Sequence, residues 1–186
     1  MTEATTDDDG LDGIGPGRTV LVIGGARSGK SRHAQRLAER ASGPLTFIAT
    51  AQAFDAEMTD RIARHRADRD GRWRTVEAPV DLAAAITGCD APDAMLLVDC
   101  LTLWASNLLL GDEDIDRHVA RLDDALAKAQ GRIVLVTNEV GWGIVPDNAL
   151  ARRFRDVAGR INQSVAARAQ AVDLIVAGLP LALKRP

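Results

Sequence analysis

Eight residues constrain this 186-residue chain more than any others. Gly24-Gly25-Ala26-Arg27-Ser28-Gly29-Lys30-Ser31 satisfies G-x-x-x-x-G-K-[ST] at every fixed position. Thr19-Val20-Leu21-Val22-Ile23 precedes it, short, apolar and β-branched, and Arg32 to Ala41 follows, built largely of helix formers. A chance Gly/Ser turn would not need those flanks. Strand, glycine loop and helix together are what a phosphate-binding loop requires. The glycines let successive N–H groups point inward, and the helix start adds a partial positive charge at the same place. Lys30 can reach the outer phosphates, and the Ser31 hydroxyl suits Mg²⁺.

The rest of the chain supplies a scaffold of matching type. Leu45 to Thr50, Trp73 to Glu77, Met95 to Asp99, Arg132 to Thr137 and Leu174 to Ala177 read as strands, with Leu181 to Leu183 as an edge strand. Helices are expected over Asp55 to about Arg69, Asp81 to Ile86, Leu101 to Leu110, Asp112 to Ala129 and Asn148 to Gln170. In the last of these, Phe154, Val157, Ile161 and Val165 share a face. Strands rich in Val, Ile and Leu alternating with helices predict an α/β fold, with a mostly parallel sheet covered on both faces. Residues 1–17 are an acidic lead-in expected to be disordered, and 18–186 are expected to form one domain.

Net charge is −3, of which residues 1–17 carry −5, so the body carries +2. That near-neutral body argues against a nucleic-acid binder working by bulk charge. No stretch reaches the roughly 18 apolar residues of a membrane helix, and the acidic N-terminus has no signal-peptide core. Cys89 and Cys100 fit no metal or redox spacing and read as buried thiols. A cytoplasmic protein is the expectation.

Several side chains could carry chemistry. Asp99 closes an apolar strand, at the sheet edge where parallel strands face a ligand crevice. It reads either as a Mg²⁺-side acid or as an ordinary strand-end carboxylate. Arg61, Arg64, Arg66, Arg69, Arg72 and Arg74 crowd around His65. Such a run is ordinarily a solvated basic face, but a triphosphate opposite it would use the guanidinium forks. Positive surroundings favour a neutral imidazole at His65, a nucleophile if an α-phosphate lies near. His33, one turn after the loop, reads as a surface or packing residue, and His118 has nothing suggestive nearby. Glu77 either accepts from a nucleotide or caps its strand.

Taken together, the motifs are more specific than the loop. Beside it stand Phe47-Ile48-Ala49-Thr50-Ala51, Asp55-Ala56-Glu57-Met58 with Arg61, Ile62 and His65, and Trp73-Arg74-Thr75-Val76-Glu77. Thr137-Asn138-Glu139-Val140-Gly141-Trp142-Gly143 and Phe154-Arg155-Asp156-Val157-Ala158-Gly159-Arg160-Ile161-Asn162 complete the set. Over about residues 19 to 184 the chain resembles the bifunctional adenosylcobinamide kinase / adenosylcobinamide-phosphate guanylyltransferase family.

The resemblance implies a RecA-like P-loop NTPase fold, a homotrimer and two reactions. Adenosylcobinamide is phosphorylated with ATP or GTP. GMP then passes from GTP to adenosylcobinamide phosphate through a guanylylated histidine, for which His65 is the matching position. The nucleotide-binding positions it implies are Gly24, Gly25, Ala26, Arg27, Ser28, Gly29, Lys30 and Ser31 in the loop, then Ala49, Thr50, Ala51, Arg66, Ala67, Asp68, Arg69, Glu77 and Asp99. Lys30 joins His65 as a catalytic residue, and Ser31 and Asp99 are the Mg²⁺ ligands. Some relatives carry Glu at the position of Asp99, and either carboxylate serves Mg²⁺. A kinase that has lost the transferase step, or a nucleotide switch with no small-molecule acceptor, would share the loop but not need His65.

Overall fold

The architecture follows from β-branched and leucine-rich strands that are apolar on both faces and must therefore be covered on both. The computed structural model describes residues 17–52 and 70–186. The strands are β1 (Thr19–Gly24), β2 (Leu45–Ala49), β3 (Trp73–Glu77), β4 (Met95–Asp99), β5 (Arg132–Asn138), β6 (Ala171–Val176) and β7 (Leu179–Lys184). The helices are α1 (Lys30–Glu39), α2 (Leu82–Cys89), α3 (Leu101–Leu110), α4 (Ile115–Lys128) and α5 (Ala149–Arg168). The sheet runs β3-β2-β4-β5-β1-β6-β7, parallel except for the antiparallel edge strand β7.

Alternation along each strand splits the core in two. Val20, Val22, Leu45, Met95, Leu97, Val134 and Val136 point to the side of α1, where Ala34, Leu37 and Ala38 meet them. Leu21, Ile48, Leu96, Val98, Ile133 and Leu135 point to the other side, covered by α2, α3, α4 and α5. Trp104 of α3 is wholly buried there and donates its indole N–H to the Val80 carbonyl at 2.7 Å. The α5 face read from the sequence is the packed one, with Val157, Ile161 and Val165 buried and Phe154 against them. Three helices start where an Asp or Asn side chain accepts from a first-turn N–H: Asp81, Asp114 and Asn148. This is the α/β fold with a mostly parallel sheet covered on both faces that the strand and helix order predicted.

Some boundaries differ from expectation. β6 begins at Ala171, three residues before the predicted start, and α5 ends at Arg168 rather than Gln170. The longer β6 takes in Asp173, a carboxylate that lies wholly buried inside the strand. Its charge is met from both sides. His33 Nε2 stands 3.2 Å from Oδ2, and Arg185 Nη1 stands 2.6 Å from Oδ1. β7 is longer than the predicted edge strand. Cys89 is half-buried rather than buried, whereas Cys100 is buried as expected. The predicted helix over Asp55 to Arg69 and the acidic lead-in up to residue 16 lie outside the described residues.

Candidate active site at the phosphate loop

The loop sits at the C-terminal edge of the sheet, between the end of β1 and the start of α1. Two of its glycines are forced by local geometry. A Cβ on Gly24 would lie 2.6 Å from Ser28 Oγ and 2.7 Å from the Ile175 carbonyl, so no larger residue fits. Gly29 has φ +96° and N-caps α1, a conformation that costs an L-residue energy. Arg27 also takes positive φ, at 57°. The Gly178 N–H donates to the Ser28 carbonyl at 2.8 Å, so the β6–β7 turn braces the loop from outside. Lys30 is buried and its ammonium donates to the Gly25 carbonyl at 3.2 Å, which curls it back over the loop. No acid stands in the first turn of α1, so its N-terminal field is not cancelled there.

Strand register assembles the rest of the edge. Ala49 lies opposite both Glu77 and Asp99, Asp99 lies opposite Val136, and Gly24 lies opposite Asn138. The acid's strand is therefore not the neighbour of the loop's strand, because β5 runs between them. Two strand spacings separate β4 from β1, about 10 Å, and Asn138 stands in that gap. Asp99 is half-buried and Glu77 exposed at the far end of the edge. Burial, chiefly, pushes the Cys100 thiol up to about 11. The Asp99 carboxylate adds to the rise, and Lys30 opposes it. Lys30 and Asp99 thus act electrostatically on one spot.

Thr50 is wholly buried, with its hydroxyl committed to the backbone. It donates to the Cys100 carbonyl at 2.7 Å and accepts from the Cys100 N–H at 2.8 Å. Ala51 is half-buried beside it. His65, Arg66, Ala67, Asp68 and Arg69 lie outside the described residues, as do Arg61 and Arg64.

The donor set can be tested for Mg²⁺. Ser31 and Asp99 offer hard oxygen ligands, and among the described residues no cluster of three or more His, Cys, Asp or Glu could cage a metal. The Ser31 hydroxyl and the Asp99 carboxylate suit a cation held by one or two protein oxygens, with water and phosphate filling the remaining positions. Two buried oxygens at the loop, Ser28 Oγ and Asn138 Oδ1, have no hydrogen-bond partner among the described residues. Both are acceptors for donors such as metal-bound water.

A family model described as cobinamide kinase / cobinamide phosphate guanyltransferase matches residues 20–183, spanning every element of this edge. The chain belongs to the cobinamide kinase / cobinamide phosphate guanyltransferase family. Among curated members, the bifunctional adenosylcobalamin biosynthesis protein CobP of Pseudomonas aeruginosa is 50% identical over 166 residues, covering 88% of this chain and 96% of that protein. The bifunctional adenosylcobalamin biosynthesis protein CobU of Salmonella typhimurium is 46% identical over 180 residues, covering 89% of this chain and 99% of that one. The Escherichia coli protein of the same name is 44% identical over 180 residues, with the same shares. The flagellar accessory protein FlaH of Methanocaldococcus jannaschii superposes with TM-score 0.56 at 14% identity, over 96% of this chain and 83% of that one. Its likeness is one of fold alone.

Within this family member, sequence reading missed the residues that hold the edge together. Thr102, Thr137, Asn162 and Asn138 form a chain of hydrogen bonds behind the loop. Thr137 Oγ1 donates to Asn162 Oδ1 at 2.7 Å, Asn162 Nδ2 donates to the Asn138 carbonyl at 3.3 Å, and Thr102 Oγ1 accepts from the Asn138 N–H at 2.6 Å. Asn107 donates to the carbonyls of Thr50 at 2.8 Å and Pro79 at 2.9 Å, tying the ends of two neighbouring segments together. A signal existed for Asn107: a lone carboxamide in the apolar run Leu101 to Leu110 must find partners when buried. His118, read as uninformative, stands 3.2 Å from Glu113 and edge-on to Trp104, away from the loop.

Proposed function

We propose that this chain carries out two successive transfers to one acceptor, in assembling the nucleotide loop of adenosylcobalamin. The γ-phosphoryl group of ATP or GTP first moves to the aminopropanol hydroxyl of adenosylcobinamide. GMP then moves from GTP to the new phosphate, giving adenosylcobinamide-GDP and releasing pyrophosphate. The observation that carries this reading is the family likeness, continuous over residues 20–183 and including the phosphate loop.

The chain's own groups have clear parts in both steps. Lys30 and the amides of Gly24 to Ser31 meet the charge on the outer phosphates, which are transferred in one reaction and leave as pyrophosphate in the other. Ser31 and Asp99 would hold Mg²⁺, which offsets phosphate charge when bound with the nucleotide. His65, in its neutral form, attacks the α-phosphorus of GTP. The bond to the bridging oxygen breaks, and pyrophosphate leaves with the electron pair. A phosphate oxygen of adenosylcobinamide phosphate then attacks the phosphoramidate, the P–N bond breaks, and the imidazole is regenerated. Arg66 and Arg69 pair with phosphate oxygens, and Glu77 accepts from the guanosine. The active assembly is a homotrimer working in the cytoplasm.

The test follows the label. With γ-labelled ATP and adenosylcobinamide, label enters the corrinoid, and unlabelled GTP then converts that product to adenosylcobinamide-GDP with the label retained. Label found only in inorganic phosphate would refute the proposal.

A further inference from the structure

The loop after β5 carries an exposed apolar surface. Trp142 is 77% exposed, Ile144 97% and Val145 67%. Trp142 is the one exposed aromatic ring among the described residues. The display is built rather than slack, because α5 pins both ends of the loop. Arg155 donates to the Gly141 carbonyl at one end. One turn earlier, Arg152 donates to the carbonyls of Pro146 at 2.9 Å and Asp147 at 2.7 Å at the other. The Glu139 carboxylate also accepts from the Gly141 N–H. Only the four residues between these anchors are held out.

Their position selects the occupant. The Glu139 N–H donates to the Gly24 carbonyl at 3.1 Å, so the loop departs from the phosphate loop itself. β5 lies between the strand of Asp99 and the strand of the loop, so these side chains follow directly from the strand at the middle of the crevice edge. The other exposed apolar run, Leu179, Leu181 and Leu183, lies on the unpaired edge strand β7, a form of surface suited to another copy of the chain. A single ring flanked by two aliphatic side chains at a reaction crevice suits a broad, flat, conjugated ligand instead.

We propose that Trp142, Ile144 and Val145 form the platform for the corrin macrocycle of the acceptor, placing its side-arm hydroxyl or phosphate over the crevice. This rests on the function proposed above. The test compares the wild-type chain with Trp142→Ala and Trp142→Phe. KM for adenosylcobinamide in the kinase step rises at least tenfold in Trp142→Ala and about twofold in Trp142→Phe. KM for the nucleotide and the native mass stay within error of wild type. A corrinoid KM within twofold of wild type in Trp142→Ala would overturn the proposal. So would a changed native mass, which would make the loop a subunit contact. If wild type turns over no corrinoid at all, the proposed function fails and takes this inference with it. If wild type is active and Trp142→Ala matches it, the inference alone fails.

Discussion

Asp173→Asn removes a charge from a wholly buried site. The carboxylate is wholly buried in β6, where Val22 of β1 pairs with it in register. Burial alone would raise its pKa. The hydrogen bonds from His33 and Arg185 outweigh burial and hold the carboxyl below the usual carboxylate range. A carboxamide keeps the shape but offers a single acceptor, so one of the two partners faces an NH₂ group. The charge-assisted hydrogen bond with His33 contributes about 1.5–3 kcal/mol, and the Arg185 ion pair adds to it. The Arg185 side chain is 30% exposed and recovers water when released, so its share is discounted. A net loss of about 3 kcal/mol results, which for a domain of this size lowers Tm by about 6–12 °C. The sign with pH follows from the lowered folded-state pKa. The carboxylate's contribution is complete above the ordinary Asp value near 4 and is lost as pH falls through the lower folded value. Thermal unfolding followed by circular dichroism at neutral pH and down into the acid range checks both statements. A variant Tm within about 1 °C of wild type at pH 7 would refute the reasoning. So would a gap between the two proteins that does not narrow in acid.

Two further substitutions probe the loop. Lys30→Ala removes the buried ammonium over the loop, so triphosphate binding weakens and both transfers slow by at least about 100-fold; steady-state kinetics of each step measures it, and an unchanged kinase rate would contradict the role given to Lys30. Gly29→Ala places a Cβ at φ +96° and 3.3 Å from Gly178 Cα, which lowers stability by about 1–2 kcal/mol and weakens nucleotide binding with it; denaturant unfolding and nucleotide titration read the two effects.

Much of this architecture is legible in the sequence because each local signal agrees with its neighbours. Thr19 to Ile23 could only be a buried strand, the loop after it could only turn into a helix, and the spacing of Val157, Ile161 and Val165 predicted the buried face of α5. The failures have a common physical origin. Asp173 falls outside the predicted strand, and the partners that hold it inside β6, His33 and Arg185, lie 140 residues before it and at the far C-terminus. The chain of Thr102, Thr137, Asn162 and Asn138 joins four polar residues from three elements, and no periodicity records such a meeting. The placement of β5 between Asp99 and the loop is likewise a property of strand order, which local patterns do not encode. The placing of Lys30 and Asp99 at one edge of the sheet, by contrast, followed from two strand ends facing one crevice.

In the proposed function one chain cleaves a nucleotide at two phosphorus atoms, with His65 as the carrier of GMP. Incubation with α-labelled GTP, followed by denaturation, tests it most directly. Wild type should retain label that is acid-labile and alkali-stable, and a chase with adenosylcobinamide phosphate should move it into adenosylcobinamide-GDP. His65→Ala should retain none. Absence of label on the wild-type chain, or undiminished label on His65→Ala, would contradict the account.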